Sequence, residues 1–218
     1  MHATKDVGKT MSPEIWSVIL LTLQVALVST LLVMLPATVL GYVLARYEFW
    51  GKSVVSAIVG LPLVLPPTAV GFLLLRLFAV DGPLGRENLG IDFNILLNWK
   101  GAVIATATMS LPLVARTAKA TFEGINPRLE MMAQTLGHSR LTTFFKYSLP
   151  MARRGLLAAV LLGFTRAMGE FGATVTIAGN IPGRTQTVAG AIFSAQQVGD
   201  IGKADFLMVI AITVGFLA

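Results

Sequence analysis

Two charged side chains, Arg166 and Glu170, stand one helical turn apart inside an otherwise apolar stretch, GFTRAMGEFGATVTIAG at positions 163–179. At i and i+4 on a helix they can pair with each other. Arg166 lies 12 residues beyond Arg154. At helical rise that is ~18 Å, near the middle of a ~30 Å hydrocarbon core. A lone charge at that depth costs ~2.5–3.5 kcal/mol on insertion scales, so both groups are expected to face a bundle interior and to have partners. Two chemistries are open. A self-neutralised pair would fix helix packing, whereas an arginine facing a water-lined path would lend a passing anion a transient counter-charge, with the glutamate keeping it from binding too tightly. Buried ion pairs are weak evidence for stability, because apolar replacements often serve as well. Gly163, Gly169 and Gly172 would let this helix approach its neighbours closely.

Other chemistries find no residues to carry them. The chain has no cysteine, and neither His2 nor His138 has the neighbours of a metal site. No cofactor site is expected. GKS at 51–53 and GKT at 8–10 imitate a phosphate loop, but the glycine needed five positions earlier is Arg46 in one case and Ala3 in the other. No serine sits in a nucleophile-elbow setting and no Ser-His, Asp-Asp or HExxH constellation occurs at membrane depth, which disfavours an intramembrane enzyme. Energy for uphill movement would have to come from a gradient or from another polypeptide.

The elements that position these residues are read from hydropathy. With 55% hydrophobic and only 13% charged residues, the 218-residue chain falls far from the charge content of soluble domains and matches a membrane protein. Apolar runs at 15–45, 54–79, 101–120 and 155–178 are long enough to span, and a fifth begins at Phe206 and is cut short at Ala218. The expected fold is therefore all-α and polytopic, with about five transmembrane helices, the last truncated, in a single unit over 1–218. The charged opening segment, which lacks a cleavage site, is expected to precede a retained first helix. The connections 46–52 and 116–154 hold nine Lys and Arg against Glu48, Glu123 and Glu130, while the other connections balance to zero. The positive-inside rule then puts the basic connections in the cytoplasm and the N-terminus outside, and it accounts for a pI near 10 without nucleic acid.

Pro62, Pro66 and Pro67 interrupt the second run, and the helix ladder is expected to lose bonds over 58–67. Freed carbonyls in hydrocarbon need protein or water, so the segment with Thr68 is expected to be buried in the bundle or to line a cavity. A packing kink and a broken helix that presents backbone to a substrate are both open.

The connection INPRLEMMAQTLGHSRLTTFFKYSLP at 125–150 is too long for a turn and too polar to span. Asn126 can cap a first helix with Pro127 at its first position and Glu130 in its opening turn. Gly137 can end that helix in a left-handed conformation, and Ser139 can cap a second that ends before Pro150. Leu129, Met132, Ala133 and Leu136 form an apolar stripe that could pack on the protein's own helix ends or receive a partner.

The glycine at 137, the nine-residue gap and the closing Leu149-Pro150, with Ala133 at the third position of the E-A-A triplet, resemble the cytoplasmic EAA loop of binding-protein-dependent ABC importer permeases. The match is incomplete: Met131 and Met132 stand at the first two motif positions, Tyr147 replaces the isoleucine, and Glu130 sits one residue early. LPLVLPPTAVGFLLL (61–75), SLPLVARTAKATFEGI (110–125) and FTRAMGEFGATVTIAGNIPGRTQT (164–187) closely resemble the permease subunit of molybdate ABC transporters, and sulfate permeases share a looser form. The resemblance implies an inner-membrane subunit present in two copies, a cytoplasmic ATP-binding partner docked on 125–150 through Glu130, Met132, Ala133, Leu136, Gly137, Leu149 and Pro150, and an external molybdate-binding protein. The broken second run and the charge pair at depth are expected to mark a route past Pro66, Pro67, Thr68, Arg166 and Glu170, and the near-neutral, Gly- and Pro-rich loops 81–98 and 179–203 are the surfaces expected to meet the external protein. Molybdate, tungstate, sulfate and thiosulfate remain open as substrates. A gradient-driven transporter or channel would explain the spans and buried charges, but would not need the 125–150 loop.

Overall fold

The computed structural model describes residues 13–91 and 93–217, so the opening segment with its GKT decoy and His2 lies outside the described residues. Among the described residues the chain is helical and contains no strand. The long helices are α1 (Pro13–Arg46), α2 (Lys52–Val64), α3 (Pro67–Phe78), and, after a single turn α4 (Arg86–Leu89), α5 (Trp99–Glu123). Two short helices, α6 (Pro127–Thr135) and α7 (Arg140–Thr143), follow, then α8 (Leu149–Met168), α9 (Gly172–Ala178), α10 (Val188–Gln197) and α11 (Ile201–Leu217).

The centre is a sandwich of α1, α5 and α8. Val33 and Ala37 of α1 meet Ala107, Val114 and Ala115 of α5, and Tyr42 stands edge-on to Phe122 at 5.1 Å. These pairs ascend together, so α1 and α5 run parallel. Small residues permit the approach: a Cβ at Gly41 would lie 2.7 Å from Ala118 Cβ and 2.8 Å from the Lys119 backbone nitrogen. Helix α8 runs the other way, with Gly163 opposite Val114 and Gly155 opposite Thr121.

Parallel α1 and α5 require residues 47–98 to carry the chain back. Helix α2 does so as far as Leu65, and α3 then turns by 113° to lie across the N-terminal ends of α1 and α5, where Val70 packs with Val25, Ala102 and Ile177. The break is narrower than expected from three prolines. Pro62 remains inside α2, and only Leu65 (ψ 145°) and Pro66 (ψ 135°) leave the helix. Each of those two residues precedes a proline, whose ring disfavours the α conformation in its predecessor.

A second break was not foreseen. The fourth run is not one helix over 155–178: α8 starts at Leu149, ends at Met168, and α9 departs at 62° after Gly169–Phe171. Residues 179–203, expected as an outer loop, instead contain α10, which forms a hairpin with α11 through Gly199 at φ 77°. Val188, at the head of α10, donates its N–H to the buried Thr22 hydroxyl of α1 at 2.8 Å. Among the described residues two helices, α1 and α5, are long and apolar enough to cross a membrane, or four if each bent pair counts as one crossing. With 17 residues, α11 adds about 26 Å of apolar helix.

Candidate functional site

The α8–α9 break is held by the residue that seemed most out of place. Glu170 is 3% exposed, and its Oε1 accepts the N–H of Ala173 at 2.9 Å, capping the first turn of α9. Its other oxygen pairs with Arg166 Nη1 at 2.7 Å. The carboxylate therefore serves two partners at once, one of them a backbone donor that the break itself sets free. The two charges are not equally sequestered: the Glu170 side chain is 2% exposed and that of Arg166 29%. Glu170 is thus a fixed structural anchor, whereas the guanidinium keeps access to its surroundings.

The two breaks also meet each other. A Cβ on Gly172 would lie 2.8 Å from Pro67 Cβ and 3.4 Å from the Thr68 nitrogen, and one on Gly71 would lie 2.7 Å from the Ala173 carbonyl oxygen. The structure thus brings the start of α3 against the start of α9, two residues from Glu170. Pro66, Pro67 and Thr68 are exposed in the single chain, so of the two expectations, burial in the bundle or a cavity lining, the first is not met within one copy. Their backbone needs are met locally: Ala69 and Val70 both donate to the Pro66 carbonyl.

At the other end of the bundle, the 125–150 connection folds closely to its local signals. The Asn126 side chain accepts the Arg128 N–H at 3.0 Å, Pro127 opens α6, Gly137 adopts φ +90°, and the Ser139 hydroxyl accepts the Thr142 N–H at 3.2 Å. The second helix does not end before Pro150. Residues Phe144–Ser148 form a π turn that runs directly into α8, with the Leu149 N–H bonded to the Phe144 carbonyl. The wide turn accommodates the ring of Pro150 in a helix that continues from Phe144 through Leu149.

Within α6 the expected stripe divides. Ala133 faces inward at 4% exposure, while Leu129, Met132 and Leu136 are exposed, Leu136 at 79%. Leu149 is half-buried and Pro150 exposed. Glu130 does more than favour the opening turn: its Oε1 accepts from Arg46 Nε at 3.1 Å and from the buried Ser148 hydroxyl at 2.7 Å. Arg46 also donates to the Ile125 carbonyl at 2.9 Å. This hub joins the end of α1, the start of α6 and the foot of α8. Sequence reasoning missed Arg46 and Ser148, which lie 84 and 18 residues from Glu130; the available signal was an acid amid a basic loop.

Comparison with known proteins places this architecture. Residues 37–218 match the family model of the binding-protein-dependent transport system inner membrane component. The molybdenum transport system permease protein ModB of Haemophilus influenzae is 43% identical over 182 residues, covering 82% of this chain and 78% of that protein. The sulfate transport system permease protein CysT of Salmonella typhimurium is 34% identical over 206 residues, covering 94% and 74%. Among solved structures, the inward facing MetNI methionine ABC transporter superposes with a TM-score of 0.68 at 20% identity, covering 95% of this chain and 94% of that one, a likeness of fold. Matched from the second half of α1 to its end, the chain belongs to the family of binding-protein-dependent transport system inner membrane components.

Proposed function

We propose that this chain is the membrane-spanning permease of an ABC importer for molybdate, working as two copies with a separate ATP-hydrolysing subunit and an external molybdate-binding protein. The observation that carries the substrate is the relation to a molybdenum permease at 43% identity, against 34% for a sulfate permease. In this reading the exposed Leu129, Met132 and Leu136 of α6 seat the ATPase. Glu130 and Ala133 hold α6 to the bundle, Gly137 makes its terminus, and Leu149 and Pro150 lead into α8, so a push on α6 reaches α8 directly. The face of α8 that bears Arg166 borders the route, with Pro66, Pro67 and Thr68 at the neighbouring break. Arg166 supplies a transient counter-charge to the dianion, and Glu170, already engaged by the α9 backbone, restrains the arginine.

The test is ATP hydrolysis and anion uptake by the full complex in liposomes, with binding protein loaded with molybdate, tungstate or sulfate. Loaded molybdate protein is expected to stimulate hydrolysis, and Gly137→Asp to abolish that stimulation, because an aspartate strained into φ +90° displaces the end of α6. Uptake without any ATPase would replace this reading with a gradient-driven transporter. Stimulation by sulfate protein alone would make the chain a sulfate permease. Arg166→Met is expected to assemble normally but to transport poorly; full transport by that variant would remove the arginine from the route and leave it a packing residue.

A further inference from the structure

The end of α6 carries a second attachment to α8, made by two residues that the loop's local signals leave without a task. Gly137, at φ +90°, closes α6 with a Schellman turn: its N–H donates to the Gln134 carbonyl at 3.0 Å, and the His138 N–H donates to the Ala133 carbonyl at 3.2 Å. His138 is therefore fixed to the end of α6 by its own backbone. The residue at this place in the motif frequently makes an apolar contact back onto its helix. Here the side chain bonds elsewhere. His138 Nε2 and the Tyr147 hydroxyl share a hydrogen bond at 3.0 Å, and the two rings pack with centroids 5.4 Å apart. The bond is partly buried, which shields it from competing water. Tyr147 is also where the chain departs from the isoleucine of the loop pattern, and an isoleucine would offer His138 no hydroxyl.

Tyr147 belongs to the π turn Phe144–Ser148, which runs directly into α8. Its neighbour Ser148 donates to Glu130 Oε1 at 2.7 Å, the tie at the start of α6 described above. Glu130 and His138, eight residues or roughly 12 Å apart at helical rise, thus converge on two consecutive residues at the foot of α8. One tie alone is a pivot about which α6 could swing. Two ties close a triangle and remove that rotation. The second tie also lies at the end of α6 that carries Leu136, at 79% the most exposed of the three apolar residues assigned above to the ATPase seat. Without it, a force on that end would pass through Ser139 and the single turn α7 before reaching Leu149. With it, the force crosses from His138 straight to Tyr147, two residues before α8.

We propose that His138 and Tyr147 are positioning residues for coupling: their bond makes α6 and the foot of α8 one rigid lever, so that a push on α6 becomes movement of α8. This rests on the seat of the ATPase on α6 assigned above. The test measures uptake and ATP hydrolysis together, in liposomes holding the full complex and molybdate-loaded binding protein. Tyr147→Phe keeps the ring and removes only the hydroxyl. It is expected to assemble and to lower the anions moved per ATP hydrolysed roughly fivefold, the population shift that one lost hydrogen bond permits. His138→Phe is expected to do the same, and the double variant to be no worse than either single one, because all three lack the same bond. A native ratio in Tyr147→Phe, or losses that multiply in the double variant, would overturn the proposal. So would a loss of uptake that merely follows a lower melting temperature or a lower yield of assembled complex, since the pair would then serve only the fold of the loop. Should His138→Phe not assemble, the ratio in Tyr147→Phe decides alone. Gly137→Asp run in parallel separates the failures: native stimulation in that variant would remove the ATPase from α6, whereas lost stimulation there beside a native ratio in Tyr147→Phe removes only the second tie.

Discussion

Glu170 shows how one carboxylate can meet two demands that the sequence presents as one puzzle. Its pairing with Arg166 follows from i, i+4 spacing, but its bond to the Ala173 N–H exists only because the helix breaks at Gly169–Phe171. A substitution can separate the two roles. Glu170→Gln keeps an oxygen for the Ala173 amide and loses the charge, while Glu170→Ala loses both. The alanine variant is expected to be less stable than the glutamine variant by about 1 kcal/mol, the typical value of a helix cap, as a lower melting temperature of the purified permease. Equal melting temperatures would mean that the cap contributes nothing. Glu130 presents the same lesson at the opposite end, where its 8% exposure and its bonds from Arg46 and Ser148 make it an internal tie. Leaving a buried charge without its partner is costly. Arg46→Met is therefore expected to loosen α6, seen as faster amide hydrogen exchange across 127–135, with the double variant Arg46→Met/Glu130→Gln closer to native.

At the scale of elements, local signals read well wherever the chain faces water. Asn126, Pro127, Gly137 and Ser139 each do in the structure what their side chains and backbone freedom predict, because caps and left-handed turns are decided within four residues. The α2–α3 break was equally legible in Pro66 and Pro67. The α8–α9 break was not: Gly169 and Gly172 permit a bend without demanding one, and the demand comes from α3, which lies against α9. Close backbone contact there gives a sharp test. Gly71→Val would force a branched side chain into the Ala173 carbonyl and the Thr176 side chain, and is expected to lower stability by about 1–3 kcal/mol, the usual cost of overpacking, read as a lower melting temperature. On α6, Leu136 is so exposed that Leu136→Asp should leave the melting temperature of the isolated permease unchanged while weakening its co-purification with the ATPase. A melting temperature lowered as much as the association would instead make Leu136 part of the permease core.

At the scale of the whole molecule, parallel α1 and α5 with antiparallel α8 is the arrangement that alternating crossings require, and it underlies the assignment of the basic connections to one side. Small residues at the crossings, Gly41, Gly155 and Gly163, bring the helices together where the hydrophobic effect offers no drive between them. The proposal above puts two copies of this chain in the complex. Native mass measurement of the purified complex is expected to give two permease chains with two ATPase chains; a single permease chain would require the route to be closed by something else.

Composition and hydropathy settle the solvent in which this protein folds, because roughly twenty consecutive apolar residues have no other stable place in such numbers. Proline positions add the first helix break, a consequence of residue type alone. The pairing of Glu130 with Arg46, the cap from Glu170 to α9 and the helix within 179–203 depend on which helices become neighbours. Neighbourhood is set by packing across distances of tens of residues, and periodicity along a single helix carries no record of it.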